Sequence, residues 1–351
     1  MISGQQARSF QQQEATSLWL PRPREVEFRR ERLPELAPGT VHVKTVLSAL
    51  SHGTEMLVYR GQVPPDLSLD LPTLQGSFRF PIKYGYATVG WVAEAGEGVE
   101  SPLPGELVFV HHPHQTEYVV PASMAIPLPP GIDPEVGCFV ASLETAVNVM
   151  LDCSARLGER VVVFGQGVVG LLLTQLARRA GAGLIATVDP LEIRRRLSLE
   201  LGADMSLSTA EGLQGEILRC TGGMGADVVL EVSGNGEALN QALELLAFQG
   251  TLIVCSWYGL KPVTLDLGGA FHRKRLRLIS SQVSSIDPAL QPRWDRLRRL
   301  SVVLGLLPHL QLKGLITQRI PFERAQEAYD LVERHPEETV QVILTYGEAG
   351  V

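Results

Sequence analysis

An α/β chain is the fold class this sequence predicts, with a β-rich first unit followed by a doubly wound parallel sheet. Three observations predict it. Short apolar runs across residues 15–130 are broken again and again by Pro and Gly. Apolar strands then alternate with helical segments from about residue 140. A glycine-spaced turn joins the first of those strands to the helix behind it. Broken short runs are the mark of antiparallel β structure, and strand–helix alternation builds βαβ units around a parallel sheet. At 351 residues the chain is long enough for two or three domains, each with a core.

The elements follow in order. "TVHVKTVLSAL", "ATVGWVAEAG", "ELVFV" and "TEYVVP" read as strands of the first unit. "RVVVFGQG" is a buried strand ending in a turn, and "VVGLLLTQLARRAGA" is a helix closed by Gly. "LIATVD" is a strand, and "PLEIRRRLSLELGAD" is a helix opened by Pro. The strand "ADVVLEVSG", the helix "GEALNQALELLAFQG" and the strand "TLIVCSW" complete the series. Beyond residue 285, "LITQRIP", "FERAQEAYDLVERH" and "TVQVILTY" form a strand–helix–strand tail that breaks the rhythm. A return of this tail to the first domain explains it. The domain boundaries expected are 1–142, 143–287 and 288–351.

Composition narrows the function classes. A net charge of −7 argues against a nucleic-acid partner, since phosphate-backbone binders carry a basic excess. No apolar run approaches the roughly 18 residues that span a bilayer, so no membrane partner is expected. The segment "MISGQQARSFQQQE" lacks the apolar centre of a secretory signal and reads as a mobile tail. Cys138, Cys153, Cys220 and Cys255 are scattered, without C-x-x-C spacing, which favours a reducing cytoplasm over a disulfide scaffold.

The turn "FGQGVVG" places Gly165, Gly167 and Gly170 in G-x-G-x-x-G spacing, and Asp189 ends the next strand 24 residues after Gly165. The string alone is weak; its place between an apolar strand and a helix gives it weight. The first Gly makes the tight turn, the second lets a pyrophosphate reach the backbone, and the third lets helix and strand pack closely. The helix start at Val168 and Val169 then offers free N–H groups and the positive dipole end to phosphate. Asp189 suits ribose hydroxyls and repels a 2′-phosphate, which favours NAD and leaves NADP possible. Arg194, Arg195 and Arg196 soften that preference if they face the nucleotide; Arg194 is expected to reach a ribose, and the other two to lie on a solvated face.

From these residues the chain, over roughly 17–346, resembles the medium-chain dehydrogenase/reductase superfamily, the zinc alcohol dehydrogenase fold. The resemblance implies a GroES-like β-rich catalytic domain, a Rossmann domain, a carboxy-terminal return and a homodimer. In the zinc enzymes of that superfamily one loop reads Cys-x-Ser/Thr-Asp, its Cys binding zinc and its hydroxyl relaying the alcohol proton. Here the loop is His52-Gly53-Thr54-Glu55. Tyr86 and Ala87 stand where a Gly-His-Glu motif supplies a second ligand, and Ala141 stands at the third. The stretch "VFVHHPHQTEYVVP" also lacks the cysteines of a structural zinc lobe. Catalytic zinc takes three protein ligands and an open position, so no zinc is expected. The "S-x-G-T-E" loop resembles a subgroup that contains bacteriochlorophyllide dehydrogenase.

Without a metal, a side chain must bind the carbonyl oxygen where charge develops. Thr54, His52 and Tyr86 are the candidates. His52 titrates near neutrality when unperturbed and suits a proton relay through Thr54; it also reads as a structural histidine, and Tyr86 as a ring filling the metal's space. His112 and Glu55 are candidate substrate-side residues, His112 as a pocket wall and Glu55 as the acid that orients the loop. His112 and His114 share a face of an extended segment, which leaves open a two-histidine metal site. By resemblance Thr145 stands beside the nicotinamide, Val232, Ser233 and Gly234 line the adenosine side, and Gln341 replaces a basic residue near the pyrophosphate. Trp257 and Tyr258 suit the pocket or a dimer seam. The arginines of "HRKRLR" and "PRWDRLRR" suit a solvated face or a pocket rim for an anionic substrate. The function expected is zinc-independent, NAD(P)-dependent interconversion of a small-molecule alcohol and carbonyl. The alternatives are a quinone or enone reductase and a cofactor-binding regulator without catalysis.

Overall fold

The computed structural model describes residues 13–69, 73–74, 76–153, 155–208 and 212–347. The expected amino-terminal tail lies outside them up to residue 12.

Six parallel strands form the nucleotide-binding sheet, in the spatial order Met205–Leu207, Leu184–Val188, Arg160–Phe164, Ala226–Glu231, Leu246–Val254, Arg277–Ser280. Numbered along the chain this is the order 3-2-1-4-5-6 of a Rossmann sheet, which leaves a crevice at the carboxyl ends of the first and fourth strands. Buried runs such as "VVV" at 161–163 match a sheet covered on both faces. Helix Val168–Arg179 buries the leucines Leu171, Leu172 and Leu173 against it.

The first unit is a GroES-like antiparallel sheet built around the strand Thr40–Ala49. That strand pairs with Thr88–Ala95, with Glu117–Pro121 and with Gln341–Thr345. The tail strand Ile316–Pro321 lies parallel to Gln341–Thr345 and extends the same sheet. One apolar cluster runs from Leu47, Val89 and Phe139 through Val163 and Leu172 to Ile343, so both sheets share a core. A second joins Tyr59, Phe322 and Tyr329, with the rings of Tyr59 and Tyr329 stacked at 4.7 Å.

The segment "GEALNQALELLAFQG", expected to be a helix throughout, is not. The helix stops at Leu245, and Leu246 already pairs with Ala226 as the next strand begins. Gln249, with φ of 59°, turns the chain and donates its N–H to the Lys274 carbonyl at 2.7 Å. Tertiary pairing here outweighs a helical apolar pattern. The basic stretch at 293–299 also differs in part from a solvated face. Arg299 is buried, donating to Glu144 Oε1 and Asn148 Oδ1 at 2.6 Å each.

Candidate functional site

The glycine turn is built as its spacing requires. Gly165 has φ of +89°, and a Cβ there would stand 2.7 Å from the Ser233 Cα. A Cβ on Gly170 would stand 1.9 Å from the Gly165 carbonyl oxygen, so only glycine lets this helix start against its strand. Gly167 is different: its Cβ direction is open, with nothing nearer than an Arg194 guanidinium nitrogen at 4.0 Å. The backbone at Gly167, Val168 and Val169 thus faces open space at a helix amino end. Asp189 is buried and accepts the N–H of Gln166 at 2.7 Å on one oxygen and that of Leu191 at 2.8 Å on the other. It ties the glycine turn to the next strand and keeps spare lone pairs.

A cleft of about 610 Å³ lies between this turn and the loop at 51–54, within the usual size of ligand sites. Of the expected residues, Gly165, Gly167, Val168, Val169, Gly170, Asp189 and Arg194 line it. His52, Thr54, Tyr86, Thr145, Val232, Ser233 and Gly234 line it as well. Thr145 donates its hydroxyl to the Ala141 carbonyl at 3.2 Å. Gly234, with φ of +67°, donates its N–H to Glu231 Oε1 at 3.0 Å and to Ser256 Oγ at 2.9 Å.

The Tyr86 hydroxyl shares the cleft wall with Ser51 and Thr54, and burial pushes its pKa up to about 12, so it stays protonated. His52 departs from expectation. Burial, with Arg194 and Arg60 adding to it, lowers its pKa to about 3, and its Nε2 is buried without a partner. The ring is therefore neutral across the physiological range and does not titrate near neutrality.

Glu55 and His112, expected on the substrate side, do not line the cleft. Glu55 is fully buried; it accepts from the Ser51 N–H at 3.1 Å, from His114 Nε2 at 2.8 Å and from the Tyr329 hydroxyl. It does hold the loop, as its orienting role requires. His112 is stacked on Tyr118 at 3.8 Å and bonded through Nδ1 to the Pro113 carbonyl at 2.9 Å, with burial lowering its pKa to about 3. It packs the β-rich unit and forms no pocket wall. The two-histidine metal site does not assemble either, because His114 is committed to Glu55 and to Ser48 Oγ at 2.7 Å. Trp257 lines the cleft, whereas the Tyr258 hydroxyl donates to Glu231 Oε2 at 2.9 Å.

Sequence reasoning passed over Glu231, Arg60 and Lys261. Glu231 is fully buried and holds residues 233–234 in place through three hydrogen bonds to one oxygen. A carboxylate closing the apolar strand "DVVLE" was the available signal. Arg60 and Lys261 line the cleft, and the Arg60 Nε is bonded to Glu333 at 2.5 Å.

The residues at the zinc position of the resembled fold do not fit that metal. His52 offers one imidazole, Tyr86 a protonated phenol, and Ala141 no donor, against the three ligands a catalytic zinc takes. Among the described residues, the group of His, Cys, Asp or Glu close enough to share an ion is His335, Glu337 and Glu338, exposed and outside the cleft.

Residues 168–300 match the family model described as "Zinc-binding dehydrogenase". The chain is 28% identical over 326 residues to a D-guloside 3-dehydrogenase of Escherichia coli K12, covering 87% of this chain and 93% of that protein. It is 30% identical over 253 residues to an (R,R)-butanediol dehydrogenase of Bacillus subtilis, covering 64% of this chain and 72% of that one. Among solved structures, an Escherichia coli CFT073 alcohol dehydrogenase complexed with NADH superposes with a TM-score of 0.78 at 19% identity, covering 95% of this chain and 99% of the other.

Proposed function

The chain belongs to the medium-chain dehydrogenase/reductase superfamily, and we propose that it works without zinc, its Tyr86 and Thr54 hydroxyls taking the metal's place at the reacting oxygen. It is an NAD(P)-dependent oxidoreductase of the alcohol–carbonyl type. The observation that carries the zinc-independent reading is the protonated Tyr86 phenol on the cleft wall it shares with Ser51 and Thr54, at the position of a zinc ligand in the resembled fold. NAD is the preferred dinucleotide, supported by the Asp189 carboxylate at the ribose position.

When bound, the dinucleotide supplies the hydride acceptor or donor. The chain's own residues do the rest. Gly165, Gly167, Val168, Val169 and Gly170 would cradle the pyrophosphate, and Asp189 would take the ribose hydroxyls. Thr145, Val232, Ser233 and Gly234 would line the rest of its site. Tyr86 donates a hydrogen bond to the carbonyl oxygen, where preorganised donors act most strongly on developing charge. Thr54 would stand as a second hydroxyl at the same oxygen, and the proton released on alcohol oxidation would leave through these hydroxyls to solvent in the cleft. His52 is a neutral wall of the same cavity, and Glu55 fixes the loop from behind.

Relatives named for D-guloside and (R,R)-butanediol support a small hydroxylated substrate. The exposed edge strand Arg277–Ser280, with Leu278 and Ile279 uncovered, supports a homodimer through that edge. Four free, dispersed cysteines support a cytoplasmic site. The domain division 1–142, 143–287 and 288–351 is supported by the return of the tail strands to the first sheet.

Turnover screening of alcohols, quinones and enones with both dinucleotides, followed by kinetics of Tyr86→Phe and Thr54→Val, tests the reading. Each loss should fall in kcat and kcat/KM alike, by roughly 10²–10⁴-fold. Activity near wild type in both variants, on a quinone or enone, would overturn it.

A further inference from the structure

Five histidines belong to the β-rich unit, and four of them are committed. His42 meets Glu117 at 2.9 Å, His111 the Tyr86 carbonyl at 3.2 Å and His112 the Pro113 carbonyl at 2.9 Å, while His114 joins Ser48 to Glu55. His52 is the exception among them. Its Nε2 is buried without a hydrogen-bond partner, and its ring lines the cleft that Tyr86 and Thr54 also line. A buried polar atom left unpaired is unfavourable. Its partner must come from outside the chain.

The turn that carries the ring is held on both sides. The Gln341 amide donates to the Leu50 carbonyl at 2.9 Å, and the Ser51 N–H to Glu55 at 3.1 Å. After the ring, the Leu57 N–H donates to the Gly53 carbonyl at 3.2 Å. We propose that His52 Nε2 binds a second hydroxyl of the substrate, on the carbon next to the reacting one. The preferred substrates are then vicinal diols or polyols, not simple alcohols. This deepens the alcohol–carbonyl reading above and rests on it.

The chemistry of the ring selects a hydroxyl. The imidazole is neutral, so Nε2 is an N–H donor in one tautomer and a bare acceptor in the other. A hydroxyl fits both, because it donates and accepts. A carboxylate or phosphate oxygen only accepts, and meets a lone pair in one of the two. A metal ion would take a bare nitrogen, but Tyr86 is protonated and Ala141 has no donor to complete its shell. His52 and Thr54 stand two residues apart on one turn, which suits oxygens on adjacent carbons.

The test is oxidation, with NAD, of two matched pairs by wild type, His52→Phe and His52→Gln. The pairs are butan-2-ol with butane-2,3-diol and cyclohexanol with cyclohexane-1,2-diol, the diols in all their stereoisomers. Wild type should favour the diol of at least one pair by roughly 10- to 100-fold in kcat/KM, because the simple alcohol leaves a buried polar atom unpaired. His52→Phe, which removes the nitrogen and keeps a ring, should cut that ratio to about twofold or less. His52→Gln should restore part of it, since its amide both donates and accepts. His52→Leu gives the same reading if the larger ring of His52→Phe disturbs the fold. An unchanged ratio in His52→Phe and His52→Leu, or a wild type that turns over alcohol and diol equally, would overturn the proposal and leave the alcohol–carbonyl reading standing. Loss of turnover on alcohols and diols alike, with about one zinc per chain in the wild type, would make His52 a metal ligand and overturn the proposal too. A wild type that oxidises none of these compounds would overturn that reading and this proposal together.

Discussion

His114 Nε2 and Glu55 Oε1 meet at 2.8 Å, fully buried, and so join the "HPHQ" and "SHGTE" loops across 59 residues of chain. The other Glu55 oxygen takes the Ser51 N–H at 3.1 Å, and Tyr329 donates to the first. The loop that carries Thr54 is therefore positioned from behind by one carboxylate. Glu55→Ala strands three donors at once. Stability should fall by roughly 3 kcal/mol or more, at 1–3 kcal/mol for each buried unpaired group. Urea unfolding measures it, and a midpoint equal to that of wild type would show that the loop is held by other means.

Gly167 and Gly170 separate binding from folding. Gly167 has φ of −71° and open space at its Cβ, so Gly167→Ala should unfold like wild type while NADH binding weakens by roughly tenfold. Gly170→Ala meets the Gly165 carbonyl at 1.9 Å, so both stability and binding should fall. Equal behaviour of the two variants in thermal melts and NADH titrations would contradict this division.

Asp189 ties Gln166 in place, and the proposed function gives it the ribose as well. Wild type should bind NADH more tightly than NADPH, and Asp189→Ser should narrow the gap by removing a repelling charge. The variant should also melt earlier, because the Gln166 and Leu191 N–H groups lose their acceptor. Preference for NADPH in the wild type would reverse the assignment.

Acid should destabilise the protein through two histidines. His52 and His112 both have folded pKa values lowered from 6.5 to about 3, chiefly by burial. Between those values the unfolded chain binds more protons than the native one, so stability rises with pH there. The contribution is fully present above about pH 6.5 and is lost as pH falls toward 3. His112→Gln should flatten the dependence of the unfolding free energy between pH 4 and 6.5. An unchanged slope would mean that the ring is accessible to protons in the folded state.

What the sequence made legible was local. Gly165, Gly167, Gly170 and Asp189 declare themselves because turn, helix start and strand end are neighbours along the chain. The missing zinc ligands at Tyr86 and Ala141 were equally plain from the resemblance. Contacts between distant segments were hidden. Nothing in "HHPHQ" says that His114, and not His112, meets Glu55, since both rings are buried and only the packing of a distant loop decides which one the carboxylate reaches. Arg299 sat inside a basic run and gave no sign of its partner Glu144, 155 residues away. The helix that stops at Leu245 was over-extended because "ALELLAF" keeps a helical apolar period into a strand.

The central claim is that hydroxyl groups, and not zinc, handle the reacting oxygen. Zinc content and turnover, measured on the same purified sample before and after dialysis against a chelator, test it most directly. The account predicts zinc far below one per chain and turnover unchanged by the chelator. About one zinc per chain, the stoichiometry of a catalytic site, lost in step with activity and restored with it on adding zinc back, would contradict it.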